Sequence, residues 1–170
     1  MNTVHFKHWN SYNVVALSKA RSFIDLANIA LDIVHRIPEK VEMVSGPIST
    51  GGVGTIPGNR MIFEEVIELL VLESGLNIFS QMPFEDKMVE LYQEWHRKNP
   101  DEKYCMPILH EFYDRLFYSG RVQTLYFIYD WQSSFGARWE HENCRTWRIE
   151  PHYLPKELSD RAMNGSLAIN

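Results

Sequence analysis

The feature that most limits what this chain can become is the segment 122–131, VQTLYFIYDW, a nearly unbroken apolar run rich in aromatic residues. A strand that alternates apolar and polar residues buries one face; a run apolar throughout needs cover on both, which helices supply in a parallel sheet. The flanking sequence provides those helices. VEMVS at 41–45 reads as a first strand and enters the glycine- and proline-rich loop GPISTGGVGTIPG. Asn59 stands as the cap of a helix over 60–74 with the stripe Ile62, Phe63, Val66, Ile67 and Leu70, and Gly75 stops it. LNIFS at 76–80 reads as the second strand, and 83–98 as a helix with Met88, Leu91 and Trp95 on one face. A further helix over about 107–119 closes at Gly120. After the third strand come a helix at about 135–147 and a last strand at 148–154. Strands alternating with helices predict right-handed βαβ units and a parallel sheet covered on both sides.

Three segments are set by this pattern. Residues 1–40 form an N-terminal extension whose first 13 residues are irregular and whose helix, 14–36, carries Phe23, Leu26, Ile29, Ala30 and Ile33 on one stripe before Pro38 ends it. That helix packs on the core or on another subunit. Residues 41–155 are the α/β domain, and 156–170 a C-terminal tail with a short helix. The fold expected is a flavodoxin-like three-layer sandwich with an N-terminal helical extension. The net charge of −5 and the absence of a Lys/Arg run argue against a nucleic acid polymer as partner. Two cysteines without a CxxC suit a reducing compartment, and no segment approaches the roughly 20 apolar residues of a membrane span. A cytoplasmic protein with no membrane partner is the expectation.

In an open parallel sheet, ligands bind outside the carboxyl ends of the strands. The loops to examine are therefore SGPISTGG, SQMPFED and DWQSSFGARWE. In the third, a buried strand ends at Tyr129 or Asp130 and leads straight into a helix. Ser133 or Ser134 is a natural N-cap there, beside backbone N–H groups that attract an anion. Gly136 allows close approach to the first turn, and Glu140, four residues on, lies on the same helical face. The glycine-rich first loop fits neither GxxxxGK[ST] nor GxGxxG, so neither an NTPase nor a dinucleotide enzyme follows.

Taken together, SGPIST after the first strand, GLNIFSQMPFED, and YDWQSSFGARWEHE with its W-x-x-S-x-G-A-x-x-E pattern resemble the nucleoside 2-deoxyribosyltransferase-like superfamily, notably its small phage and bacterial members of unassigned function. The resemblance covers about two-thirds of the chain. It implies that Glu140 is the nucleophile that attacks C1′ of the sugar, forming a covalent glycosyl-enzyme. Ser134 falls where members that cleave nucleoside 5′-monophosphates hold the phosphate. Ser45, Gly46, Pro47 and Ile48 would form the opposite wall, and Gln123 stands where the family commonly has an Asp near the start of the third strand. The implied activity is N-glycosidic bond cleavage in a (deoxy)nucleoside 5′-monophosphate. Base exchange by a deoxyribosyltransferase, or a nucleotide-binding sensor with the same pocket and no turnover, are the alternatives. No metal or organic cofactor is implied, the partner is a small nucleotide or nucleoside, and homo-oligomers are usual in the family.

Other candidates have plainer readings. Asp130 could act as a general acid or anchor the turn, and Trp131 could stack on a base or pack. His141 with Cys144, and His5 with His8, lack the further ligands of a zinc site. Glu85 and Asp86 mark a helix start, where carboxylates suit the dipole.

Overall fold

The computed structural model describes residues 4–167. In chain order they form α1 (Ser11–Lys19), α2 (Phe23–Arg36), β1 (Val41–Ser45), α3 (Ile56–Ser74), α4 (Glu85–Lys98), α5 (Asp114–Tyr118), β2 (Val122–Phe127), α6 (Phe135–Trp147), β3 (Glu150–Tyr153) and α7 (Lys156–Leu167). A 3-10 turn, Met82–Phe84, leads into α4, another, Trp131–Ser133, precedes α6, and a π-helical stretch, Ile108–Tyr113, runs into α5.

The strands are parallel in the order β1-β2-β3, with Ser45 opposite Phe127 and Phe127 opposite Tyr153. The segment expected as a second strand is reduced to one parallel bridge, Glu42 with Ile78, on the free edge of β1. Two backbone bonds hold it there, Phe79 N–H to Glu42 O at 2.8 Å and Glu42 N–H to Asn77 O at 3.2 Å. The chain then curls into the 3-10 turn through Pro83, which has no N–H to extend a ladder. With this segment counted, the chain leaves β1 towards one edge and β2 towards the other. The order therefore reverses between β1 and β2, and the crevice at their carboxyl ends is the position where such sheets bind ligands.

Alternation along the strands divides the interior into two cores. Val41, Met43, Leu125 and Phe127 meet Leu26, Ile33, Phe112, Phe117 and Trp147 on one face. Val44 and Ile128 meet Ile62, Phe63, Val66 and Ile67 of α3 and Ala162 of α7 on the other. The result is the three-layer α/β sandwich that the buried run at 122–127 required. Exposed Gln123 at the entry to β2 is the polar break in that run.

Local differences from the expected pattern have identifiable causes. The helix expected over 14–36 is two helices, because Ser22 caps the second by accepting the Asp25 N–H at 3.1 Å. The stripe Phe23, Leu26, Ile29, Ala30 and Ile33 is buried as the spacing predicts, against the sheet rather than at a distance from it. α3 starts four residues earlier than expected. Thr55 is its cap, with Pro57 in the first turn, which frees Asn59 for another task. Gly75 ends α3 at φ +66°, a left-handed conformation costly for other residues. The C-terminal helix is longer than a tail: α7 lies along α3 with Ala162 buried, and residues 168–170 lie outside the described residues.

Candidate functional site

Asp130 has φ +66° and turns the chain out of β2, and its carbonyl accepts both the Ser133 N–H and the Ser133 hydroxyl. Ser134, in extended conformation and 4% exposed, is the N-cap of α6 and accepts the Ala137 N–H at 3.3 Å. Ser133 has a different role. Its hydroxyl accepts the Gly52 N–H at 2.8 Å, while Thr50 Oγ1 accepts the Phe135 N–H at 3.1 Å, so the glycine-rich loop is clipped onto the start of α6. At Gly51, φ is +73° and a Cβ would stand 2.2 Å from Ser133 Oγ, so only glycine fits under this clip.

Asn59 shapes the loop from inside. Its buried amide accepts the Val53 N–H at 2.9 Å and donates to Ile48 O at 3.1 Å and Gly51 O at 3.0 Å. An amide has both donors and an acceptor, so one side chain can hold three separate points of a loop that has no secondary structure.

Glu140, one helical turn beyond Gly136, points inward and is 7% exposed. Ser45, at the end of β1, donates its hydroxyl to Glu140 Oε2 and so bridges the crevice between β1 and α6. Burial pushes the Glu140 carboxyl up to about 7, and the Ser45 hydrogen bond opposes that push. Burial thus sets the carboxyl near neutral, with the single hydrogen bond from Ser45 acting against it.

Two side chains that sequence reasoning passed over join this cluster. Tyr104, from the polar stretch after α4, packs its ring on Phe135 at 4.4 Å, and its phenol oxygen lies 2.9 Å from where a Gly136 Cβ would be. Gly136 is therefore the residue that admits this phenol to the first turn of α6. Burial pushes the Tyr104 phenol up, and the charge of Glu140 adds to the effect. Glu85, the first residue of α4, is 5% exposed; burial pushes its carboxyl up to about 7 against the pull of Arg60. Buried Tyr113 is pushed up by burial first and then by the charges of Glu85 and Glu140. No motif signals Tyr104 or Tyr113, because each arrives through tertiary packing.

The remaining candidates fall elsewhere. Gln123 sits at the amino end of β2, exposed, whereas Ser45 and Glu140 lie at the carboxyl ends. A strand rises about 3.3 Å per residue, so the four steps from Gln123 to Phe127 separate it from the crevice by about 13 Å. It is not a sugar contact. Gly46 lies against Ile128, and Pro47 lines a cavity of about 240 Å³ between the loop, α3 and α7. Ile48 contributes its carbonyl to Asn59 rather than a wall facing Glu140. Trp131 lines another cavity, of about 500 Å³, Asp130 lines both, and neither lining includes Glu140. The turn reading of Asp130 and the packing reading of Trp131 therefore describe them better than roles in catalysis.

The histidine pairs separate. His5 Nδ1 is 2.8 Å from Ser80 Oγ and its Nε2 is 3.4 Å from Glu68, an arrangement not visible in the sequence. Ser80 is 3% exposed and accepts the Met82 N–H, so the array anchors the N-terminal segment to the end of the bridge strand. His8 pairs with Asn77, and His141 with Tyr153. Among the described residues, no three His, Cys, Asp or Glu side chains are grouped to hold a metal ion, and no helix is long and apolar enough to cross a membrane. No protein-family model matches the chain, and no curated protein or solved structure matches it either.

Proposed function

We propose that this protein cleaves the N-glycosidic bond of a (deoxy)nucleoside 5′-monophosphate through a glycosyl ester on Glu140. The observation that carries the reading is the buried Glu140 carboxylate, held by the Ser45 hydroxyl across the β1/α6 crevice, on the helix whose N-terminus Ser134 caps. The likeness of W-x-x-S-x-G-A-x-x-E to the nucleoside 2-deoxyribosyltransferase-like superfamily points the same way.

The chemistry follows from this placement. Ionised Glu140 attacks C1′; the C1′–oxygen bond forms as the C1′–nitrogen bond breaks, and the base departs with that electron pair and takes up a proton. Water then attacks C1′, loses its proton and restores the carboxylate, giving base and sugar phosphate. Ser134 stands six residues before Glu140, about 9 Å along the axis at 1.5 Å per residue. With the Phe135 N–H already held by Thr50 and the Ala137 N–H by Ser134, the Ser134 hydroxyl would donate to the phosphate beside the start of α6, leaving the sugar over Glu140. Because burial favours the neutral acid, only the fraction ionised near and above pH 7 is nucleophilic.

The test is chromatographic detection of free base from a panel of ribo- and deoxyribonucleoside 5′-monophosphates and the matching nucleosides. The expected result is base release from a monophosphate at least about 100-fold faster than from its nucleoside, the scale of losing a charge-assisted phosphate site. Release only when an acceptor base is added would make the reaction a transfer. Absence of release under both conditions would leave a nucleotide-binding protein without turnover.

A further inference from the structure

The cavity of about 500 Å³ at the carboxyl ends of β2 and β3 is separate from the Glu140 crevice and has a different chemistry. Its walls are rings. Trp131 stacks on His141 at 4.3 Å and 28°, and the Tyr153 ring lies 6.2 Å from Trp131 at 26°. Phe127, fully buried, forms the floor, 5.1 Å from Trp131 and 5.3 Å edge-on to His141. Tyr129 stands half-exposed at the rim. The His141 Nε2 to Tyr153 hydroxyl contact of 2.7 Å fixes two of these rings relative to each other.

Asp130 also lines this cavity. Its left-handed backbone, held by Ser133, fixes the residue at the mouth, and its carboxylate has no ion pair or side-chain hydrogen bond among the described residues. The nearby cation that could neutralise it, Lys156, is engaged with Asp160 at 2.9 Å. Among the described residues, no Lys or Arg lines the cavity. Electron-rich ring faces attract a cation, best of all Trp, and a large methylated cation gives up its water most readily.

We propose that this aromatic cavity binds a small organic cation, a quaternary or fully methylated ammonium compound, seated on the cavity side of the stacked Trp131 and Tyr153 rings rather than between them, with Asp130 as counter-charge. The site is independent of Glu140 and stands whether or not the glycosidase reading holds.

The experiment is titration calorimetry of the full-length protein with tetramethylammonium and choline at about pH 8 and low salt, where screening is weak. The control is 3,3-dimethylbutan-1-ol, the uncharged carbon analogue of choline. Both cations are expected to bind, the alcohol at least about tenfold more weakly, the scale of a desolvated cation–π contact. Tyr153→Ala, at an exposed position and so safe for folding, is expected to weaken choline at least about fivefold, and Asp130→Asn, which keeps the left-handed preference, by a similar factor. Glu140→Gln is expected to leave choline binding unchanged. Equal binding of the alcohol, no binding of either cation, or insensitivity to Tyr153→Ala would overturn the proposal. So would displacement of choline by a nucleoside monophosphate, or a trimethyl-lysine peptide binding far more tightly than choline, since neither fits a small free cation as the occupant.

Discussion

Glu140→Gln is expected to abolish base release and, at the same time, to make the protein more stable at pH 8 than the wild type. The stability effect follows from linkage. The Glu140 carboxyl titrates near 7 in the folded chain, above the usual carboxylate range, because burial penalises its charge. A group raised in this way contributes stability that is fully present below its unfolded pKa and is lost as pH rises through the folded value. The wild type therefore bears the cost of a buried carboxylate above pH 7, on the order of 3 kcal/mol from the shift to about 7. Glutamine keeps the size and can accept from Ser45 but never ionises. For a domain of this size, the variant should melt roughly 6–12 °C higher at pH 8 and about level with the wild type near pH 4.5. Thermal denaturation across that range checks it. Glu85 titrates in the same window and remains in both proteins, so the difference curve isolates Glu140. Catalysis should lose at least about a thousandfold, the scale of deleting a covalent nucleophile. In the wild type, base release should rise with pH through about 7 as the carboxyl ionises. A variant no more stable at pH 8 than the wild type would mean that the Glu140 carboxyl is not held up by burial.

Asn59→Ala is the second large effect. The buried amide makes three hydrogen bonds to Val53, Ile48 and Gly51, and alanine leaves those three backbone groups to find water. At about 1 kcal/mol per bond, and with the loop partly open to solvent, the loss is about 2–4 kcal/mol of stability. Much of it falls on the loop, so the Gly52–Ser133 and Thr50–Phe135 contacts that seal the start of α6 should weaken as well. The expected signature is faster amide exchange at Gly52 and Phe135 than at the α2 core. Denaturant titration measures the global part. A variant whose loop amides exchange as slowly as the wild type's would show that the backbone, not Asn59, sets the loop's shape.

The parts of the fold that were legible in sequence are those fixed by local rules. The stripe of α2, the Gly75 stop and the buried run of β2 each depend on spacing or on one residue's backbone preference. The same holds at the site, where the sequence offered Ser133 or Ser134 as the cap and put Glu140 on the face of Gly136, and the structure selects Ser134 and turns Glu140 inward. Misreadings came where one residue type serves two purposes. Asn59 suits a helix cap and an interior loop clamp equally, and only the arrival of Ile48 and Gly51 selects the second. LNIFS has strand composition, but its pairing depends on how far β1 extends beside it. Gln123 was assigned by linear likeness, which says nothing about which end of a strand a residue occupies. Tyr104 and Tyr113 reach the site from distant segments and carry no local signal.

The central claim is that Glu140 becomes covalently attached to the sugar, and the most direct measurement is the intact mass of the protein during turnover of a slowed substrate. The substrate is the 2-fluorinated sugar form of whichever monophosphate releases base, because the electron-withdrawing substituent slows breakdown of the ester. The account predicts a mass increase equal to the fluorinated sugar phosphate less the departed base, located by digestion on the peptide containing Glu140 and missing in Glu140→Gln. Base release with no adduct on that peptide, or an adduct that survives the Glu140→Gln change, would contradict it.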